Sequence, residues 1–151
     1  MPIIKGREKN IALIVIFIML CATFTSCVSK PATVEELINS NKEIAEELTS
    51  SHDNSGMTTE IKDNEIIYSY DLSGVEGATE ENLKEKSMLK ILNSTLDGQA
   101  DSFTNVCKQI EEESEISGVT ATVNYTYNGE VLATKTFSSA GEVDNAEAEN
   151  E

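Results

Sequence analysis

Apolar and polar residues alternate with two periods along this chain, and each change of period marks a change of element. Met57, Thr59 and Ile61 alternate with polar neighbours, as do Ile66, Tyr68, Tyr70 and Leu72, and Asp63-Asn64 separates the two runs. A two-residue turn there pairs Lys62 with Glu65, Ile61 with Ile66, Thr59 with Tyr68 and Met57 with Tyr70, so the predicted hairpin has one apolar face. From Thr79 the period lengthens. Leu83 and Leu89 are followed by Leu92, Leu96, Phe103, Val106 and Ile110, at steps of 3, 4, 7, 3 and 4 from Leu89 onward, the spacing of one helix face. This predicts a single helix from Thr79 to about Ile116 that stops at Ser117-Gly118. A kink or break at Gly98 is the alternative, because glycine costs roughly 1 kcal/mol against Ala in a helix interior. Val119, Ala121, Val123, Tyr125 and Tyr127 then alternate with Thr120, Thr122, Asn124 and Thr126 as far as Asn128-Gly129, a strong hairpin signal. The register of the returning strand, Glu130 to Phe137, is open. A strict two-residue turn puts Leu132, Thr134 and Thr136 on the Tyr125 face and Val131 and Phe137 on the other, and a bulge or longer loop changes this.

A shorter helix precedes the first hairpin. Thr33-Val34-Glu35-Glu36 is a capping box, in which the Thr33 hydroxyl takes the Glu36 amide and Glu36 reaches back. Leu37, Ile38, Ile44, Ala45 and Leu48 supply its apolar face before the turn-forming run Ser51 to Gly56. At the other end, residues 139–151 hold five acids, no base and one large aliphatic side chain, Val143, and are expected to form an acidic, disordered tail. The order α-β-β-α-β-β predicts an α+β fold, a four-stranded antiparallel sheet with the long helix packed on one face. Residues 33–138 form one domain.

The N-terminus is of another kind. Lys5, Arg7 and Lys9 precede an unbroken apolar and small run of 14 residues from Ile11 to Phe24, shorter than the roughly 20 that span a bilayer and suited to an export signal. Phe24-Thr25-Ser26-Cys27 resembles the lipobox of bacterial lipoproteins, with Phe24 where Leu is usual; the competing Cys21 follows the bulkier Leu20. The resemblance implies that diacylglycerol alkylates the Cys27 sulfur, that the Ser26 to Cys27 bond is cut to release a signal peptide of residues 1–26, and that the new amino terminus is open to acylation, as with palmitate. Residues 27–32 are then the lipidated cysteine and a short tether, and the protein is expected at the extracytoplasmic face of the cell membrane, held by its lipid. An ordinary secretory signal releasing a soluble protein is the competing reading.

Charge narrows the partners further. The chain has 11 Lys plus Arg against 27 Asp plus Glu, a net of -16, and loss of residues 1–26 leaves 8 against 26, or -18. That balance excludes a nucleic-acid binder, which needs a basic face, and disfavours electrostatic docking on anionic lipid. With Cys21 removed and Cys27 lipidated, Cys107 has no disulfide partner, and it lies on the helical stripe of Phe103, Val106 and Ile110 as a small buried hydrophobe. His52, beside Asp53, is the only histidine, and it stands in a turn-rich segment with no nucleophile placed by a motif. Asp53-Asn54-Ser55-Gly56 and Glu111-Glu112-Glu113-Ser114-Glu115 offer oxygen ligands suited to Ca²⁺ without the spacing of a calcium loop. No residue is therefore assigned a catalytic, cofactor-binding or metal-binding role, and no cofactor is expected.

The Thr-Val-Glu-Glu-Leu helix start, the Met-Thr-Thr-Glu-Ile strand and the long helix before Gly118-Val119, together with the lipobox and acidity, resemble a family of small Gram-positive lipoproteins classed as domain of unknown function 4854. The resemblance implies no catalytic motif. Two functions follow as expectations. The first is a membrane-anchored binding or interaction module with a protein partner at the cell envelope, contacted by the strand face of Thr120, Thr122, Asn124 and Thr126 or by the acidic surface. The alternative is a cell-envelope enzyme or cation-binding protein using surface carboxylates, with Glu111 to Glu115 or Asp53 near His52 as its site.

Overall fold

In the computed structural model, which describes residues 30–40 and 56–143, the alternating segments assemble into one sheet. Strands β1 (Met57–Lys62) and β2 (Glu65–Asp71) pair antiparallel in the register expected, Met57 against Tyr70 and Ile61 against Ile66. Asp63 makes the turn with a left-handed φ of 50°. Strand β3 (Thr120–Tyr127) turns at Asn128 and Gly129, whose φ values of 50° and 84° are those a tight hairpin with positive φ at both central residues demands. It runs back as β4 (Glu130–Ser138), and a short β5 (Gly141–Val143) completes the order β1-β2-β3-β4-β5.

This arrangement corrects the expected four-stranded antiparallel sheet. The sheet has five strands, and its central pair, β2 with β3, is parallel, Glu65 against Thr120 through Asp71 against Thr126. Alternation tells which face a strand buries but not the direction in which it runs. What decides direction is the connection: residues 72–119 far exceed the dozen or so that a parallel crossover requires, and they return the chain to the end of the sheet where β2 began. The fifth strand falls in the segment expected to be a disordered tail; residues 144–151 lie outside the described residues.

The expected single long helix is three. After α1 (Val34–Asn39) at the front of the chain, the crossover contains α2 (Glu80–Lys84), α3 (Lys86–Asp97) and α4 (Ala100–Ser114). Thr79 caps α2 through its hydroxyl, which accepts the Asn82 amide at 3.3 Å, and Glu85 then opens to an extended ψ of 137°. The second break is at Gly98 and Gln99, where the Gln99 amide bonds Leu96 O at 3.0 Å, the tighter spacing of a closing turn. A continuous helix over this stretch would be roughly 50 Å long, about twice the length of the strands; breaks let the apolar stripe fold onto the sheet instead. Helix α4 ends with Glu115 left-handed at a φ of 59°.

One sheet face carries the core. Ile66, Tyr68, Ala121, Val123, Tyr125, Ala133 and Phe137 are buried there against Leu92 and Leu96 of α3 and Phe103, Val106, Cys107 and Ile110 of α4, with Val34 of α1 closing one corner. Phe103 lies between Tyr68 and Phe137, with ring centroids 5.4 and 5.6 Å away, within the range of favourable aromatic pairs. Phe137 reaches this face because of a bulge: Tyr125 pairs Ala133 while Thr126 pairs Val131, leaving Leu132 as the extra residue. The bulge alternative is therefore the one adopted, and it shifts every later residue of β4 to the opposite face from that of a strict hairpin.

The α1 cap forms as expected at its first bond, the Thr33 hydroxyl accepting the Glu36 amide at 3.1 Å, while the Glu36 carboxylate accepts the Ala32 amide at 2.8 Å. The expected continuation of this helix through Ile44, Ala45 and Leu48, and the turn containing His52 and Asp53, lie outside the described residues. So do residues 1–29, with the signal segment, Ser26 and Cys27.

Candidate functional site

Strand alternation that buries Ala121, Val123 and Tyr125 sends Thr120, Thr122, Asn124 and Thr126 to the opposite face of the sheet, where all four are half-buried. Their neighbours follow from the register. Glu65, Ile67, Ser69 and Asp71 of β2 flank them on one side, and Ser138, Thr136, Thr134 and Val131 of β4 on the other. No described helix lies over this face. The result is an open sheet surface of short hydroxyl side chains centred on β3.

These side chains bond to one another across strands. Thr122 donates to Glu65 Oε1 at 2.6 Å and lies 2.9 Å from the Thr136 hydroxyl. A threonine has one proton to give, and since that of Thr122 goes to the carboxylate, Thr136 is the donor of the second bond. A directed chain of hydroxyls thus runs from β4 through β3 to the acid on β2. The Asn124 amide donates to the Ser69 hydroxyl at 3.5 Å, and Thr126 to Tyr70 O at 3.4 Å. Thr120, Thr122, Asn124 and Thr126 were legible from alternation alone. Glu65, Ser69 and Thr136 were missed, although the alternation of β2 marks its polar positions; what the sequence lacked was the identity of the neighbouring strand.

The acidic run at the end of α4 is not one site. Glu111 Oε1 accepts the amides of Gly118 and Val119 at 2.8 and 3.0 Å. The Ser139 hydroxyl, ahead of these two amides, holds its pKa below the ordinary carboxylate value, with desolvation opposing. Glu112 faces Lys108 at 3.8 Å, and Glu115 pairs with Lys30. Among the described residues Asp71 is the other acid whose pKa is displaced, also downward, by the amide and then the hydroxyl of Ser73. These are carboxylates held ionised by donors, the reverse of a general acid. Among the described residues no group of three or more His, Cys, Asp or Glu side chains is placed to share a metal ion.

Cys107 lies in the core, as its stripe predicts. Its thiol is 3.6 Å from Phe137 O, and burial, with the Glu111 charge adding to it, pushes its pKa up to about 12, far from a reactive thiolate. Lys135 is an unexpected cation on the core-side face, opposite Val123. Its side chain is 18% exposed, and it joins Asp97 of α3 to Glu142 of β5, 2.6 Å from the latter.

Among the described residues no helix is long and apolar enough to cross a membrane. No curated protein and no solved structure is similar to the chain. A family model does match it, over residues 34–137, from the first residue of α1 to the last buried residue of β4, with β5 beyond the match. The chain belongs to the family described as Domain of unknown function (DUF4854).

Proposed function

We propose that this protein is a lipid-anchored module of the cell envelope that binds a protein partner through the open face of its sheet and performs no chemistry itself. The observation that carries this reading is the hydroxyl face centred on Thr122. It is ordered by bonds across three strands, yet no described element covers it. Preorganised polar side chains lose little conformational freedom when a partner arrives, and a face stripped of large aromatic groups favours exchangeable polar contacts over permanent burial. The Phe24-Thr25-Ser26-Cys27 lipobox supports the anchor, and a cysteine bearing diacylglycerol and an acylated amine would hold the domain at the membrane without a spanning helix.

Two measurements test the reading. Fractionation of cells expressing the full chain should place it in the membrane, with Cys27→Ala moving it to the soluble fraction; an unchanged distribution would remove the anchor. A photo-crosslinking residue substituted for Asn124 in live cells should capture one partner near stoichiometry, while the same residue at Lys90, exposed on α3, should not. Equal capture from both positions would rule out the sheet face.

A further inference from the structure

The first described residues after the lipobox are bonded to one end of the sheet, which fixes where the chain from Cys27 joins the domain. Lys30, three residues after Cys27, is paired with Glu115 at the end of α4. The chain that follows is tied to the same end of the sheet. Val34 N donates to Asn64 Oδ1 at 3.1 Å, Glu35 N to Asp63 O at 2.9 Å, and Asp63 N to Glu35 Oε2 at 2.9 Å. Asn64 in turn donates to Ser117 O at 3.1 Å and accepts Thr120 N at 3.0 Å. The β1–β2 turn, the end of α4 and the start of β3 thus form one bonded base, and the chain leaves from it. The expected five-residue tether shortens accordingly. From Cys27 to Lys30 is three peptide steps, at most about 11 Å, whereas β3 alone rises about 26 Å from this base to the opposite end.

Resting on the lipid-anchor reading above, we propose that the domain stands end-on at the bilayer, with the Asp63-Asn64 turn and the end of α4 toward the lipid and the loop of residues 72–79 and the Asn128-Gly129 turn away from it. The partner of this base is the anionic headgroup layer itself, met without adhesion. Glu36, Asp63, Glu112, Glu113 and Glu115 are exposed there, against Lys30, Lys62 and Lys108. Repulsion from like-charged lipid acts over a Debye length of about 8 Å at physiological salt, comparable with the tether, so the base is held off at the full reach of the chain. Lying down on the open sheet face relieves none of this, because it brings Glu60, Glu65 and Asp71 to the lipid with Lys62 the one base, and it would turn the chain's point of departure away from the bilayer. The lower part of that face, Glu65, Thr120 and Ser138, then lies nearer the headgroups. Its upper part, Asn124 and Thr126, and the loop carrying Val75, 54% exposed, look outward to a partner.

Single-cysteine variants of the full-length lipidated protein test this in vesicles of phosphatidylglycerol carrying a headgroup fluorescence acceptor. Cys27 is blocked by its thioether and Cys107 is buried, so dye attaches at the introduced thiol. With Glu113→Cys at the base and Glu76→Cys in the far loop, energy transfer to the membrane should be several-fold greater from position 113. Glu112→Cys and Val75→Cys form a second pair should either of the first two fail to fold. Equal transfer from both ends, with the protein vesicle-bound, overturns the orientation and leaves the anchor standing. Loss of vesicle binding by wild type, indistinguishable from Cys27→Ala, overturns both.

Discussion

Glu111 gathers three donors on one carboxylate, the amides of Gly118 and Val119 and the hydroxyl of Ser139, and so ties the end of α4 to the start of β3 and the β4–β5 turn. Its folded pKa lies below its unfolded one, so its contribution is fully present above the unfolded value of about 4.3 and is lost as pH falls through the folded value. Glu111→Gln should cost about 1 kcal/mol at pH 7, a figure reduced from that of a buried charged bond because the site is partly open to water. The gap between variant and wild type should narrow as pH falls below the unfolded value and close once pH has passed below the folded one, where the native carboxylate is itself protonated. Urea midpoints at pH 7 and pH 3.5 decide it; the same gap at both would mean that the charge is not what the donors recognise. Cys107 gives a second expectation at this scale. With no exposed surface and a pKa pushed up to about 12, its thiol should react with a disulfide reagent at pH 8 only as fast as the domain opens, and the rate should rise with urea in step with unfolding. Rapid reaction in the absence of urea would refute the burial.

Between residues and strands, legibility divides along a physical line. The first hairpin could be read in full, because a two-residue turn fixes register and the pleat fixes face, and both are local. The positions of the helical stripe were equally legible, since Leu92, Leu96, Phe103, Val106 and Ile110 all reach the core. What could not be read depends on contacts distant in sequence. The parallel β2–β3 pair depends on where the crossover returns. The bulge at Leu132 is selected by the fit of Phe137 against Phe103, and β5 is held by Lys135, whose partner Glu142 looked like one more solvated acid. The open face was half legible for the same reason: β3 declared its own polar side, but not that Glu65 and Thr136 would meet Thr122. The break at Gly98 is instructive, because this glycine has an ordinary right-handed φ of -66°, and a Cβ there would meet Ser94 O and Thr95 O at 3.6 Å, normal contact. The break therefore does not need glycine. Gly98→Ala should stabilise the domain by about 0.5 kcal/mol through the unfolded chain, raising the melting temperature by roughly 2–4 °C. A fall in melting temperature would show that the turn between α3 and α4 relies on freedom that alanine lacks.

At the scale of the whole molecule, the dominant feature is a charge of one sign. After residues 1–26 the chain holds 26 acids against 8 bases, and the described ion pairs are mostly exposed, such as Lys62 with Glu60 at 3.0 Å and Lys84 with Glu130 at 2.7 Å. Exposed pairs of this kind contribute little to stability. The sheltered exception is Lys135 between Asp97 and Glu142, and one such cluster does not offset repulsion summed over the surface. Two effects of salt therefore compete: screening weakens a few attractive pairs and relieves many repulsive ones. The count favours relief. Raising NaCl from about 0.01 M to 0.15 M shortens the Debye length from about 30 to 8 Å, which removes interactions across the domain while leaving contact pairs largely intact. Stability should rise by about 1 kcal/mol, seen as a melting temperature higher by roughly 4–8 °C. A melting temperature that fell with salt would place the net electrostatic stabilisation in the ion pairs. In the orientation proposed, where like charge holds the base off anionic lipid, salt should also let the base approach the bilayer more closely, increasing energy transfer from position 113 proportionally more than from position 76.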